Sequence, residues 1–167
     1  MIVLVGFMGA GKTTVGQLLS RRLGLPFADV DEVIEERAGT PVQQIFADQG
    51  EEAFRALEHE TIASLLDGPP LVLALGGGAV EHEQTRRVLK LAGQTVYLYV
   101  PYEVALGRVG GDRGRPMLRR PDLAEVYRRR LTTYDEAATL TVSTEGRSPE
   151  LVCADIETHF ARVQSAR

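Results

Sequence analysis

Ile2-Val3-Leu4-Val5 runs directly into Gly6-Phe7-Met8-Gly9-Ala10-Gly11-Lys12-Thr13-Thr14, and Val15, Leu18, Leu19 and Leu23 then recur at helical spacing. An apolar run, a Gly-rich turn and an amphipathic helix in that order restrict the chain to folds that open on a buried strand and return along the sheet through a helix. The turn fits the pattern G-x4-G-K-[ST]. With 17 Gly, two Lys and 17 Ser or Thr among 167 residues, chance produces that pattern roughly two times in a thousand, so it is read as a phosphate-binding loop. Glycines let successive backbone N–H groups converge on one anion, and the helix start adds its positive dipole. Gly9, Ala10, Gly11, Lys12, Thr13 and Thr14 are the expected nucleotide contacts, with Lys12 bridging β- and γ-phosphates and the Thr13 hydroxyl offered to Mg²⁺. Lys12 and Lys90 are the only lysines beside 17 arginines, so lysine stands at this position against the bias of the chain.

Five β-type runs alternate with helical patterns: Ile2 to Val5, Pro26 to Val30, Leu71 to Leu75, Thr95 to Val100 and Leu140 to Ser143. The alternation predicts parallel βαβ units in a three-layer α/β/α sandwich with a five-stranded parallel sheet, covered on both faces. Phe54, Leu57, Ile62, Leu65 and Leu66 should form one buried helix face, and Leu151, Ile156, Phe160 and Val163 most of another. An apolar content of 44% in 167 residues suits one domain spanning 1–167. Two segments read as additions to the core: a helical insertion from about Asp31 to Leu66, and a Gly-, Pro- and Arg-rich lid from Gly110 to Pro121.

The net charge of −4 and pI near 5.4 argue against a nucleic-acid surface, although Arg113 to Arg120 is locally basic. No apolar run reaches the 18 or so residues of a membrane span, and the chain starts on a strand rather than a signal peptide. A cytoplasmic protein is expected. Cys153 stands alone, which excludes an internal disulfide, and reads as a buried helix position.

A phosphate loop does not by itself choose between kinases, GTPases and motor ATPases. Asp29-Val30-Asp31 ends the second run, at the sheet edge where ligands gather; one Asp can serve a metal and the other a substrate hydroxyl, or the pair can serve as turn and helix N-cap. Gly76-Gly77-Gly78 follows the third run at the same edge, where glycine backbones admit a ligand closely or simply make the turn. No acidic residue ends Leu71 to Leu75, which leaves Asp29 as the candidate for the metal's water shell. Arg55 lies near Glu51, Glu58 and His59 at helical spacing, a substrate cation or an ion-pair cluster. Arg130, after Arg128 and Arg129, is a binding residue or part of a solvated basic face. Arg115, before Pro116 in the lid, suits charge that grows on a transferring phosphoryl group. His59, His82 and His159 lack ligand spacing and read as surface or packing residues.

Taken in order, Gly6 to Thr14, Asp29-Val30-Asp31, Ile45-Phe46 through Gly50-Glu51 to Phe54-Arg55 and Glu58, Gly76-Gly77-Gly78-Ala79-Val80, and Arg115-Pro116 resemble the shikimate kinase family over essentially the whole chain. The resemblance implies transfer of the ATP γ-phosphoryl group to the 3-hydroxyl of shikimate, with Mg²⁺, by a monomer. It implies that Asp31 accepts a hydrogen bond from the attacking hydroxyl and that Arg55, Arg130 and the Gly76 to Gly78 backbone hold shikimate. Lys12 and Arg115 would stabilise the moving phosphoryl group, Thr13 would ligate Mg²⁺, and Asp29 would act through metal-bound water. Arg108 and Arg147 match the adenine-contacting positions. The family's Arg-x-Pro-Leu-Tyr element is matched by Arg130-Leu131-Thr132-Thr133-Tyr134 without its Pro-Leu pair, so Arg130 is chosen over Arg129 by its spacing from Tyr134. The lid reads Arg115-Pro116-Met117-Leu118 where Arg-Pro-Leu-Leu is commoner. A kinase for another hydroxy acid such as gluconate, and a catalytically silent binding module, are the alternatives; an Asn-Lys-x-Asp element for guanine is missing.

Overall fold

The structure is a computed structural model that describes residues 1–92, 94–110, 118 and 120–165. Its strands are β1 (Ile2–Val5), β2 (Phe27–Asp29), β3 (Val72–Ala74), β4 (Thr95–Tyr99) and β5 (Leu140–Ser143). They pair in parallel in the order β2-β3-β1-β4-β5, with Leu4 opposite Ala74 on one side and Val96 on the other. β1 is therefore central, and Ile2 to Val5 is buried along its whole length. Each fully buried Leu or Ile of this kind contributes roughly 2 kcal/mol through removal of apolar surface from water.

The helices are α1 (Lys12–Leu23), α2 (Val30–Ala38), α3 (Val42–Leu66), α4 (Glu83–Ala92), α5 (Tyr102–Val109), α6 (Leu123–Ala137) and α7 (Pro149–Ser165), and a 3-10 turn covers Ala79–Glu81. Right-handed crossovers decide their faces. The chain moves from β1 through α1 to the β2 edge, then reverses from β3 through α4 to β4, so α1 and α4 lie on opposite faces of the sheet. α7 packs beside α1, and α6 beside α4. The reversal of direction beside β1 creates the crevice at the carboxyl ends of the strands, the usual ligand position in an open α/β sheet.

Three local features depart from the expected pattern. Val30 leaves the second strand and begins α2, because Asp29 Oδ1 accepts the Asp31 N–H at 3.1 Å and caps the helix. The long helix α3 is interrupted at Gly50, with φ 83° and ψ 173°, so Glu51 to Leu66 runs on a new axis. On α7 the buried face is Val152, Cys153, Ile156 and Phe160, whereas Leu151 is 57% exposed and Val163 also faces water. Leu23 at the end of α1 is exposed as well, while Val15 and Leu19 are buried as expected. No helix among the described residues is long and apolar enough to cross a membrane.

Candidate active site

The loop between β1 and α1 is shaped by its glycines. Gly9 has φ 73°, and a Cβ there would stand 2.7 Å from the Ala105 carbonyl oxygen, so the loop backbone can lie against α5 only without a side chain. Gly11 follows in a left-handed conformation at the N-cap of α1, which leaves the first N–H groups of that helix turned to the crevice. Lys12 folds over the loop and donates to the carbonyls of Gly6 at 2.8 Å and Phe7 at 3.2 Å. Thr13 and Thr14 are exposed at the helix start.

Asp29 divides its two oxygens between two tasks. Oδ1 caps α2, and Oδ2 accepts from the Thr13 hydroxyl at 3.4 Å. Asp31, the second residue of α2, is half-buried beside it. Burial and the neighbouring Asp29 charge push its carboxyl above the usual range, while Lys12 and Arg55 pull it back.

Arg55 comes from the second part of α3. Its Nη1 donates to Glu58 Oε2 at 2.6 Å, and its guanidinium lies 5.7 Å from the Phe46 ring and 5.3 Å from Phe54. Glu58 is buried, and that burial pushes its carboxyl up to about 7 against the pull of Arg55. Neither Glu58 Oε1 nor Arg55 Nε has a hydrogen-bond partner. The three glycines after β3 admit this crowding. A Cβ on Gly76 would stand 2.7 Å from Glu58 Oε1 and 3.0 Å from Asp31 Oδ1, and one on Gly78 would collide with the Arg55 guanidinium.

Arg130 reaches the same crevice from α6. It is nearly buried at 5% exposure, and its Nη1 lies 3.7 Å from the Cβ position of Gly77. Tyr134, one turn later, is fully buried, stacks on Tyr97 at 5.0 Å between centroids, and donates from its hydroxyl to the Gly77 carbonyl at 2.5 Å. Glu81, which ends the 3-10 turn, accepts from Arg130 and Arg129. Burial opposes the Glu81 charge, but these two arginines outweigh it and hold the carboxyl below its usual value.

At the rim of the loop, Arg108 donates to Gly9 O at 3.0 Å and to both oxygens of Thr144 at 2.9 and 2.7 Å. Arg147 turns toward α7 and pairs with Asp155 at 2.7 Å. The structure thus brings Lys12, Thr13, Asp29, Asp31, Arg55, Gly76 to Gly78 and Arg130 to one end of the sheet, with Arg108 on the phosphate loop and Arg147 held away by its acidic neighbour. Arg115 and most of the expected lid lie outside the described residues. Glu81 is absent from the sequence reading, since nothing in its spacing sets it apart from other acids. His59 and His82, distant in sequence, meet with their rings 5.1 Å apart, each near the Thr85 hydroxyl.

A parallel sheet with a phosphate loop after its central strand, and carboxylate and guanidinium groups gathered across the crevice, defines a P-loop phosphotransferase of the small-molecule kinase class. The shikimate kinase family profile matches residues 8–161. A shikimate kinase of Thermobifida fusca (strain YX) is 51% identical over 154 residues, covering 90% of this chain and 88% of that protein. The solved structure of shikimate kinase from Acinetobacter baumannii in complex with shikimate has 38% identity and a TM-score of 0.90, over 96% of this chain and 92% of that one. A gluconokinase from Sinorhizobium meliloti 1021 has 20% identity and a TM-score of 0.59 over 97% of this chain and 91% of that one, a likeness of fold alone. The chain belongs to the shikimate kinase family.

Proposed function

We propose that this enzyme transfers the γ-phosphoryl group of ATP to the 3-hydroxyl of shikimate, giving shikimate 3-phosphate for chorismate and aromatic amino acid synthesis. The observation that carries the reading is the convergence of Asp31, Arg55 and Arg130 on the Gly76 to Gly78 backbone, beside the Lys12 loop. That crevice offers a hydroxyl acceptor group and two guanidinium groups to one small acid. Guanidinium donors match a carboxylate in geometry and charge, so Arg55 and Arg130 hold the shikimate carboxylate and the Gly77 backbone closes around the ring.

With shikimate so held, Asp31 accepts a hydrogen bond from the attacking hydroxyl and orients it in line with the γ-phosphorus. A carboxyl raised above its usual value is also the stronger base, which suits it to receive that proton as the new P–O bond forms. Lys12 exchanges its backbone carbonyl partners for β- and γ-phosphate oxygens and stabilises the charge that develops there. Arg115, by the family resemblance, does the same from the lid. Arg108 contacts the adenine side, as Arg147 does in the resemblance.

Thr13 Oγ1 and Asp29 Oδ2 are hard oxygen donors 3.4 Å apart, and no group of three metal-binding side chains lies among the described residues. That sparse oxygen set fits Mg²⁺, which keeps several waters and takes its remaining ligands from phosphates; when bound, the ion neutralises phosphate charge. Thr13 would ligate it directly and Asp29 through water. The proposal takes the working unit as a cytoplasmic monomer acting on small molecules, on the strength of the resemblance.

The role of Asp31 is tested by Asp31→Asn. Turnover should fall by at least about tenfold while ATP affinity stays nearly intact. Initial rates beside ATP titration check both, and unchanged turnover would remove Asp31 from the mechanism.

A further inference from the structure

Glu81 is a carboxylate at the edge of a site that takes a carboxylate, an arrangement that costs affinity unless the acid serves the site. Its contacts show what it does. Oε2 accepts from Arg130 Nε at 3.0 Å and from Arg130 Nη2 at 2.5 Å, and Oε1 accepts from Arg129 Nη2 at 2.8 Å. A guanidinium presents five N–H donors in a planar fork. Glu81 takes the Nε–Nη2 edge of that fork, and Nη1 is left on the side of Gly77. The two arginines differ sharply in environment: the Arg130 side chain is 6% exposed and that of Arg129 60%.

We propose that Glu81 is a positioning residue for substrate binding: it locks the Arg130 guanidinium with its Nη1 end toward the crevice, while Arg129 neutralises the charge of Glu81 from the solvent side. The Arg129–Glu81 pair is then neutral overall, and the Arg130 charge remains available to the incoming acid. A free arginine side chain surrenders its rotamer freedom when it binds a ligand; Arg130 has surrendered it before the substrate arrives, which favours affinity. Tyr134 completes the frame by fixing the Gly77 carbonyl on the other side. The inference rests on the reading of Arg130 as a carboxylate-binding group.

Steady-state kinetics on the whole enzyme with shikimate and MgATP test it, using Glu81→Ala, Glu81→Gln, Arg130→Ala and the double variant Glu81→Ala/Arg130→Ala. Glu81→Ala should raise the KM for shikimate about tenfold, with kcat and the KM for ATP within about twofold of the parent enzyme. Glu81→Gln keeps an oxygen for Arg130 and should recover most of the loss. In the Arg130→Ala background, removal of Glu81 should add nothing. If Glu81→Ala melts below the assay temperature, Glu81→Asp, which retains charge but falls short of Arg130, should give the same rise confined to KM. An unchanged KM for shikimate, a lowered one that marks Glu81 as a competitor of the substrate, or additive effects in the double variant would overturn the proposal. Failure of the parent enzyme itself to turn over shikimate would instead overturn the functional reading.

Discussion

Glu58 sets one carboxylate oxygen against Arg55 at 2.6 Å and leaves the other, Oε1, buried without a partner. Burial raises its carboxyl from 4.5 to about 7. Between those values the folded protein holds a proton that the unfolded chain has released, so stability falls as pH rises through the window. Below it Glu58 contributes nothing to pH dependence, and above it the full penalty applies. Glu58→Gln, which mimics the protonated carboxyl, should remove that slope and leave stability near pH 5 close to that of the parent protein. Urea unfolding at about pH 5 and about pH 8 reads both effects, and a slope that survives the substitution would show that another group carries it. At this scale the sequence was legible in placement where a fixed motif sets it, as for Lys12 and Thr13 at the start of α1. The cap reading of Asp29 is seen in Oδ1, which caps α2, while Oδ2 faces Thr13 and is left for the proposed metal role. Glu58 was visible only as an ion-pair partner, because burial is a property of the folded chain. Glu81 was not visible at all, since its partners lie 48 and 49 positions away.

Elements carry these side chains into register. The triple glycine between β3 and the 3-10 turn is the point where α3 and α6 both reach the crevice, and Gly78 has ordinary backbone angles, φ −99° and ψ −5°. A Cβ there meets no backbone strain but would occupy the space of the Arg55 guanidinium. Gly78→Ala should therefore displace Arg55 and raise the KM for shikimate about tenfold, with the KM for ATP unchanged; kinetics that match the parent enzyme would place the guanidinium elsewhere. β1 and β5 were legible to the residue from apolar runs and turn signals, and β2 to β4 within one or two. The break at Gly50 was not, since an isolated Gly within a helical pattern is often tolerated. The buried face of α7 was misread at Leu151 and Val163, because apolar residues at a helix margin satisfy the periodicity without reaching the core.

For the whole molecule, the reversal of chain direction beside β1 explains why residues from five segments meet at one sheet end. Alternation of strands and helices foretold the parallel sheet; the order β2-β3-β1-β4-β5 had no local signal, because pairing is decided by packing across the complete chain. The half of the crevice assembled from α2, α3, the glycine turn and α6 carries Asp31, Arg55 and Arg130, the residues proposed to hold the acid. The central claim is that this half recognises shikimate and couples it to ATP. ADP release from MgATP by purified enzyme, with shikimate, quinate, gluconate or no acceptor, tests it most directly. Release that depends strongly on shikimate is the predicted result; equal release with gluconate, or no stimulation by any acceptor, would contradict it.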